Sequence, residues 1–305
     1  MDWLWTGNIW ILYVFIACGA YVHYRGKVRH KFRRQVLDHS TIMAPVNCLI
    51  YATSSVPNKP FLDRSKFPEL DLLKDNWEVF REEALALTQG GYIGQSSTDN
   101  DLAFHSFFRT GWSRFYLKWY NDAQPSAMQM CPRSVELVNR IPGIKAAMFA
   151  KLPAGAKLGQ HRDPFAGSLR YHLGLDTPND DRCAIFVDGE VHSWRDGEDT
   201  LFDETYIHWA ENFTDKDRLI LFCDVERPLR YRWAQAFNRV FQKLVVSATE
   251  TENVKGDDVG ALNKVFDVVY KVRAWAKGIK KKNRKLYYAM KWVLIGGLFY
   301  LIFVR

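Results

Sequence analysis

The sequence predicts a mainly β fold, an antiparallel jelly-roll sandwich with flanking helices and a transmembrane helix at each end. Three observations carry that expectation. From about residue 104 onward, short apolar runs follow one another with turn residues between them and little helical spacing. Asp188-Gly189 separates two alternating stretches, a pairing that favours a two-residue hairpin turn. Long uncharged runs occupy the two termini.

The terminal runs set the domain plan of the 305 residues. Trp3 to Tyr24 covers 22 residues without Asp, Glu, Lys or Arg, enough to cross a hydrocarbon core of about 30 Å as a helix. Basic residues follow this run instead of preceding it, so segment 1–24 reads as an anchor and not as a cleaved signal. Leu286 to Val304 is a second apolar run of 19 residues, interrupted by Lys291. Segment 286–305 is therefore expected to span as well, the competing reading being a buried or interfacial helix. Between them lie a basic helical and loop region (25–103), a β-rich core (104–232) and a helical basic region (233–285).

Charge supports the same plan. Arg25 to Arg34 holds six Lys and Arg, and Lys271 to Lys285 holds eight. Both clusters face the middle of the chain, which the positive-inside rule places in the cytoplasm with both termini outside. The sequence pI of about 9.1 comes from these flanks, because the segment between them has a formal charge of −7. An anionic membrane is the expected partner, nucleic acid is not, and no obligate protein partner is inferred. Cys18, Cys48, Cys131, Cys183 and Cys223 form no C-x-x-C pair, which fits a reducing compartment.

Within the middle, residues 72–88 and 133–141 have helical spacing and 90–101 is a polar loop. Strands are expected at 108–120, 145–152, 168–175, 183–194, 199–209 and 217–225. Residues 256–285 read as a helix or helix pair leading a basic face to the membrane.

One constellation carries chemistry. His161 and Asp163 lie in the turn GQHRDPFAG, and His208 follows in TYIHW. Two imidazoles and a carboxylate on one face of a metal leave positions open for a bidentate co-substrate and O2, the arrangement expected of non-haem Fe(II) oxygenases. An H-x-D pair alone is weak evidence, and a single histidine is more often a surface or core residue. Arg218, ten residues after His208, adds weight. A dicarboxylate such as 2-oxoglutarate needs a fixed guanidinium fork; the competing reading pairs Arg218 with Asp215 or Asp217. On the strand SLRYHLGL, alternation puts Ser168, Arg170 and His172 on one face, which looks either into the barrel or into solvent. The loop 90–101 and the aromatics Trp112, Phe115, Tyr116 and Trp119 are candidates for a substrate wall, the competing reading for most of the aromatics being core packing.

The stretches GQHRDPFAGSLRYHLGL and HSWRDGEDTLFDETYIHWAENFTDKDRLILFCDVERPL resemble the aspartyl/asparaginyl β-hydroxylase family of 2-oxoglutarate oxygenases, over roughly residues 108–230. The resemblance implies a double-stranded β-helix. It implies iron on His161 and His208, the distal 2-oxoglutarate carboxylate on Arg218, and Arg170 and His172 near the carboxylate closest to the metal. Two features depart from the family. Animal members have glycine at the position of Asp163, and the family's serine contact is missing from KAAMFAKL. The predicted topology also resembles the bacterial lipid A 2-hydroxylases, which resemble the same family. It implies hydroxylation of C2 of a secondary acyl chain of lipid A, or of a related acylated glycolipid, at the cytoplasmic face of the bacterial inner membrane, with both termini periplasmic. The alternatives are a peptidyl-aspartate/asparagine β-hydroxylase and a non-enzymatic membrane scaffold.

Overall fold

Strands form in this chain because apolar residues recur with a period of two on both faces. In β2 (Ile144–Leu152), Ala146, Met148, Ala150 and Leu152 enter one apolar cluster, while Ala147 and Phe149 enter another. The computed structural model describes residues 7–95, 104, 107–120, 122–262, 275, 276 and 278–303.

Among the described residues nine strands make two antiparallel sheets. β1 (Ser113–Trp119), β2, β9 (Arg218–Glu226), β4 (Ser168–Asp176) and β7 (Asp199–Phe202) lie in that order in a five-stranded sheet. β3 (Lys157–His161), β8 (His208–Asn212), β5 (Cys183–Val187) and β6 (Glu190–Ser193) form a four-stranded sheet. From β2 to β9 every connection crosses between the sheets except the β5–β6 hairpin. This winding is the jelly roll. The hairpin turns on Asp188 and Gly189, both with positive φ (52° and 87°), as a two-residue primed turn requires.

One core lies between the sheets and includes Met148, Trp194, Phe202, Ile220 and Phe222. A second lies between the outer face of the larger sheet and the helices α5 (Asp71–Asp75), α6 (Trp77–Gln89), α8 (Pro125–Met130) and α9 (Pro132–Asn139). The remaining helices are α1 (Gly7–Tyr24), α2 (Phe32–Val36), α3 (His39–Ile42), α4 (Ala44–Thr53), α7 (Tyr92–Gln95), α10 (Arg232–Phe241) and α11 (Arg284–Phe303).

Several expectations need correction. The run 199–209 is two strands in different sheets, β7 and β8, joined by a buried turn that holds Asp203, Glu204 and Thr205. Strand β3 is too polar (KLGQH) to announce itself. The expected loop 90–101 is replaced at its start by α7, and residues 96–101 lie outside the described residues, as do 263–274 of the expected basic helix.

The expected transmembrane spans also need correction. The described parts of both terminal runs are helical, but among the described residues no helix is long and apolar enough to cross a membrane. The described part of α1, Gly7–Tyr24, has 18 residues. α11 carries Arg284, Lys285 and Lys291. Part of the first cluster also faces inward. Arg25, with a side chain 4% exposed, pairs at 2.5 Å with Asp203, which also takes Arg227 at 2.9 Å. Arg25 thereby ties the end of α1 to the barrel, where Val22 packs with Ala44, Ile50 and Tyr51.

Candidate metal centre

The antiparallel register of β3 and β8 sets His161 opposite His208, with ring centroids 4.2 Å apart. Asp163 follows β3, where its N–H donates to the Glu204 carbonyl at 2.9 Å. One ligand atom from each of the three residues lies within 4.8 Å of the others. The ring orientations are settled by carbonyls, which can only accept. His161 Nδ1 donates to Gly159 O at 2.8 Å and His208 Nδ1 donates to Tyr206 O at 3.0 Å. Each Nε2 lone pair is thereby left for a metal.

The charge states suit a divalent cation. Burial lowers both imidazoles, His208 to about 3, so they stay neutral at pH 7. Burial would raise Asp163, but Arg170, His208 and His161 outweigh it and hold the carboxyl well below its usual range. Two neutral imidazoles and one carboxylate on one face fit Fe(II).

Alternation along β4 sends Ser168, Arg170 and His172 into the barrel, while Leu169, Tyr171, Leu173 and Leu175 face the helices. The two cationic candidates then diverge. Arg170 Nη2 lies 2.8 Å from Asp163 Oδ2 and also contacts Glu204, and its Nε lies 2.8 Å from Asp224 Oδ1. The guanidinium expected near the co-substrate is thus engaged by three carboxylates and steadies the outer oxygen of Asp163. Sequence reasoning missed Glu204, Asp224 and Tyr120, whose hydroxyl donates to Asp224 at 2.9 Å. Alternation along β9 reveals Asp224, which shares the inward face of Arg218, Ile220 and Phe222 and registers opposite Arg170. Glu204 sits in a turn and leaves no such signal. Burial raises it well above the usual carboxylate range, and its Oε1 accepts from the Ser168 hydroxyl at 2.8 Å.

His172 lies deeper, and neither ring nitrogen has a partner among the described residues. It lines a tight cavity of about 40 Å³ with His161, His208, Trp194 and Arg218, roofed by Phe104 and Phe107. Arg218 is 2% exposed and sits 4.3 Å over the Trp194 ring. No carboxylate lies within ion-pair distance among the described residues. Asp217 instead binds the Ala154 N–H at 2.9 Å and Lys151 at 3.5 Å. Burial pushes Arg218 down to about 10, still charged at pH 7. An unpaired buried cation is costly and calls for an anion.

A second, larger cavity of about 370 Å³ adjoins the first at Phe104 and Arg170. Its floor is polar (Asp163, Ser168, Arg170, Glu204, Asp224), and Met43, Phe165, Phe241, Val245 and Val246 contribute apolar walls. Of the four aromatic wall candidates, Trp112 lines the first cavity and Trp119 the second, Tyr116 packs between the sheets, and Phe115 turns to the helix layer.

The chain is similar in sequence to several known proteins. An ornithine lipid ester-linked acyl 2-hydroxylase of Rhizobium tropici is 33% identical over 193 residues, covering 62% of this chain and 68% of its own length. Aspartate beta-hydroxylase domain-containing protein 2 of Homo sapiens is 25% identical over 191 residues, 59% of this chain and 50% of that protein. The human aspartyl/asparaginyl beta-hydroxylase is 25% identical over 164 residues, of which this chain spans 21% of the relative's length. Among solved structures, KdgF from Halomonas sp. covers 39% of this chain and 81% of its own at TM-score 0.26 and 14% identity. That score adds nothing to the fold argument, which rests on strand order. The family model described as aspartyl/asparaginyl beta-hydroxylase matches residues 74–228, half of the chain and all nine strands, and this chain belongs to that family.

Proposed function

We propose that this chain is an Fe(II)- and 2-oxoglutarate-dependent dioxygenase that hydroxylates C2 of an acyl chain on a membrane lipid. The carrying observation is Arg218, a buried guanidinium with no carboxylate at ion-pair distance among the described residues, in the same cavity as two histidines whose Nδ1 atoms donate to carbonyls and whose Nε2 atoms are left to accept a metal. His161, His208 and Asp163 would hold the iron, which when bound supplies the coupling of O2 reduction to 2-oxoglutarate decarboxylation. The Gly159 and Tyr206 carbonyls fix the imidazole tautomers, and Arg170 orients Asp163. Arg218 would take the distal carboxylate of 2-oxoglutarate, with His172 beside it. The cavity is tight, so Phe104 and Phe107 must swing aside to admit a dicarboxylate. Apolar walls then keep water out.

The lipid class follows from the likeness to the Rhizobium tropici acyl 2-hydroxylase. A secondary acyl chain of lipid A and an ester-linked acyl chain of an aminoacyl lipid are the two members of that class to test. The proposed location is the cytoplasmic face of a bacterial inner membrane, supported by five free thiols. Purified protein with Fe(II) and 2-oxoglutarate should release succinate in step with a gain of one oxygen on the acyl chain, read by mass spectrometry. Hydroxylation of an aspartyl or asparaginyl peptide in place of lipid would establish the peptidyl reading. Absence of metal-dependent succinate would leave a non-enzymatic scaffold.

A further inference from the structure

Helix α10 is built inside out. A helix on a water-soluble surface turns its apolar stripe inward. Here Trp233, Phe237, Val240 and Leu244, spaced as one stripe, are 57%, 38%, 56% and 69% exposed. The opposite stripe, Ala234, Asn238 and Gln242, is buried, and it is held by polar bonds. Asn238 and Gln242 both donate to the Gly167 carbonyl, at 3.0 and 3.2 Å. Gly167 has to be glycine, because a Cβ there would fall 2.0 Å from Asn238 Oδ1. Packing thus commits the polar face to the protein and leaves the apolar face without cover. Exposed cations Arg230, Arg232 and Lys243 accompany it.

The same element lines the larger cavity. Phe241, Val245 and Val246 form one wall, and the α3 region forms another through His39 and Met43. α3 and neighbouring α2 also expose Ile42, Phe32, Val36 and Leu37. An apolar stripe with cations beside it therefore leads into a cavity of about 370 Å³ whose floor includes Asp163 and Arg170, a volume in the range of ligand sites.

We propose that α10 and the turn Gln242–Val246 dock this protein onto an anionic lipid leaflet, and that an acyl chain passes from there through the cavity to the metal centre. Aromatic and aliphatic residues enter the interface while the cations meet anionic headgroups. This rests on the acyl-hydroxylase reading for the identity of the chain in the cavity, but docking can be read without turnover.

The test uses full-length protein and sedimentation with vesicles of phosphatidylglycerol and phosphatidylcholine, against phosphatidylcholine alone. Wild type should bind the anionic vesicles, and Trp233→Asp/Phe237→Asp should bind at least tenfold more weakly with an unchanged melting temperature. His208→Ala should bind like wild type. Val246→Trp, which fills the cavity, should bind vesicles but lose lipid-stimulated succinate release. Equal binding by wild type and the double Asp variant, or no binding by wild type, overturns the docking surface. Lipid-stimulated turnover that survives Val246→Trp overturns the route. Docked protein that never oxidises lipid sinks the acyl-hydroxylase reading and leaves the docking surface standing.

Discussion

Two buried arginines share the barrel interior and have opposite surroundings. Arg170 is gripped by Asp163, Glu204 and Asp224. Arg218 sits over the Trp194 ring beside His172, and among the described residues no carboxylate reaches it. A guanidinium already neutralised by carboxylates is part of the structure, and one buried without an anion is prepared for a ligand. The proposed metal ligands lie between these poles, so one arginine steadies Asp163 while the other would set the position of the proposed co-substrate.

Mutations test this contrast. The largest effect is expected at the centre. His161→Ala or His208→Ala should lower iron-dependent succinate release at least about ten-thousandfold, over 5 kcal/mol of barrier, and residual turnover near wild type would remove both from the metal.

Next comes Arg170→Met, which strands buried carboxylates. Loss of one partner of such a cluster costs about 3–5 kcal/mol, so the apo chain should melt roughly 10 °C lower. Metal affinity should drop about 10- to 100-fold as Asp163 loses its anchor. Denaturant melts and metal titration check both.

Arg218→Met should act in the opposite direction on stability. Removing an unpaired buried cation should raise the apo Tm by about 2–4 °C, on the order of 1 kcal/mol. The KM for 2-oxoglutarate should rise about 30-fold, the roughly 2 kcal/mol of a desolvated charge pair. A destabilised Arg218→Met chain with normal KM would erase the distinction between the two arginines.

The smallest effect concerns pH. Burial, then Arg218 and Arg170, hold His172 well below its ordinary value of 6.5. The unfolded chain takes up a proton below pH 6.5 that the folded chain refuses, so stability falls as pH falls. His172→Phe should remove about 1.4 kcal/mol per pH unit of that decline, measurable by urea melts of the apo chain between pH 6.5 and 5.

Much of the architecture was legible because strand alternation is local. SLRYHLGL reports its two faces directly, and Asp188-Gly189 reports its turn. Strand β3 was not legible, since KLGQH has almost no apolar signal and is held by its ladder to β8. The 199–209 run hid a change of sheet, because the turn at Asp203 to Ile207 is itself buried and reads like strand. At the ends, hydropathy over a window suggested spans. It does not register that Arg25 turns in to Asp203.

The local pattern marked a β sandwich and, with the family resemblance, offered His161, Asp163, His208, Arg170, His172 and Arg218 as candidates. It did not establish which of these groups meet. Arg170 finds Asp224, 54 residues away, because β4 and β9 are neighbours in a particular register, and it finds Glu204 because a turn folds over the barrel end. Periodicity reports which face a side chain occupies. Its partner depends on strand order and register between distant segments, and those are set by the packing of the whole barrel.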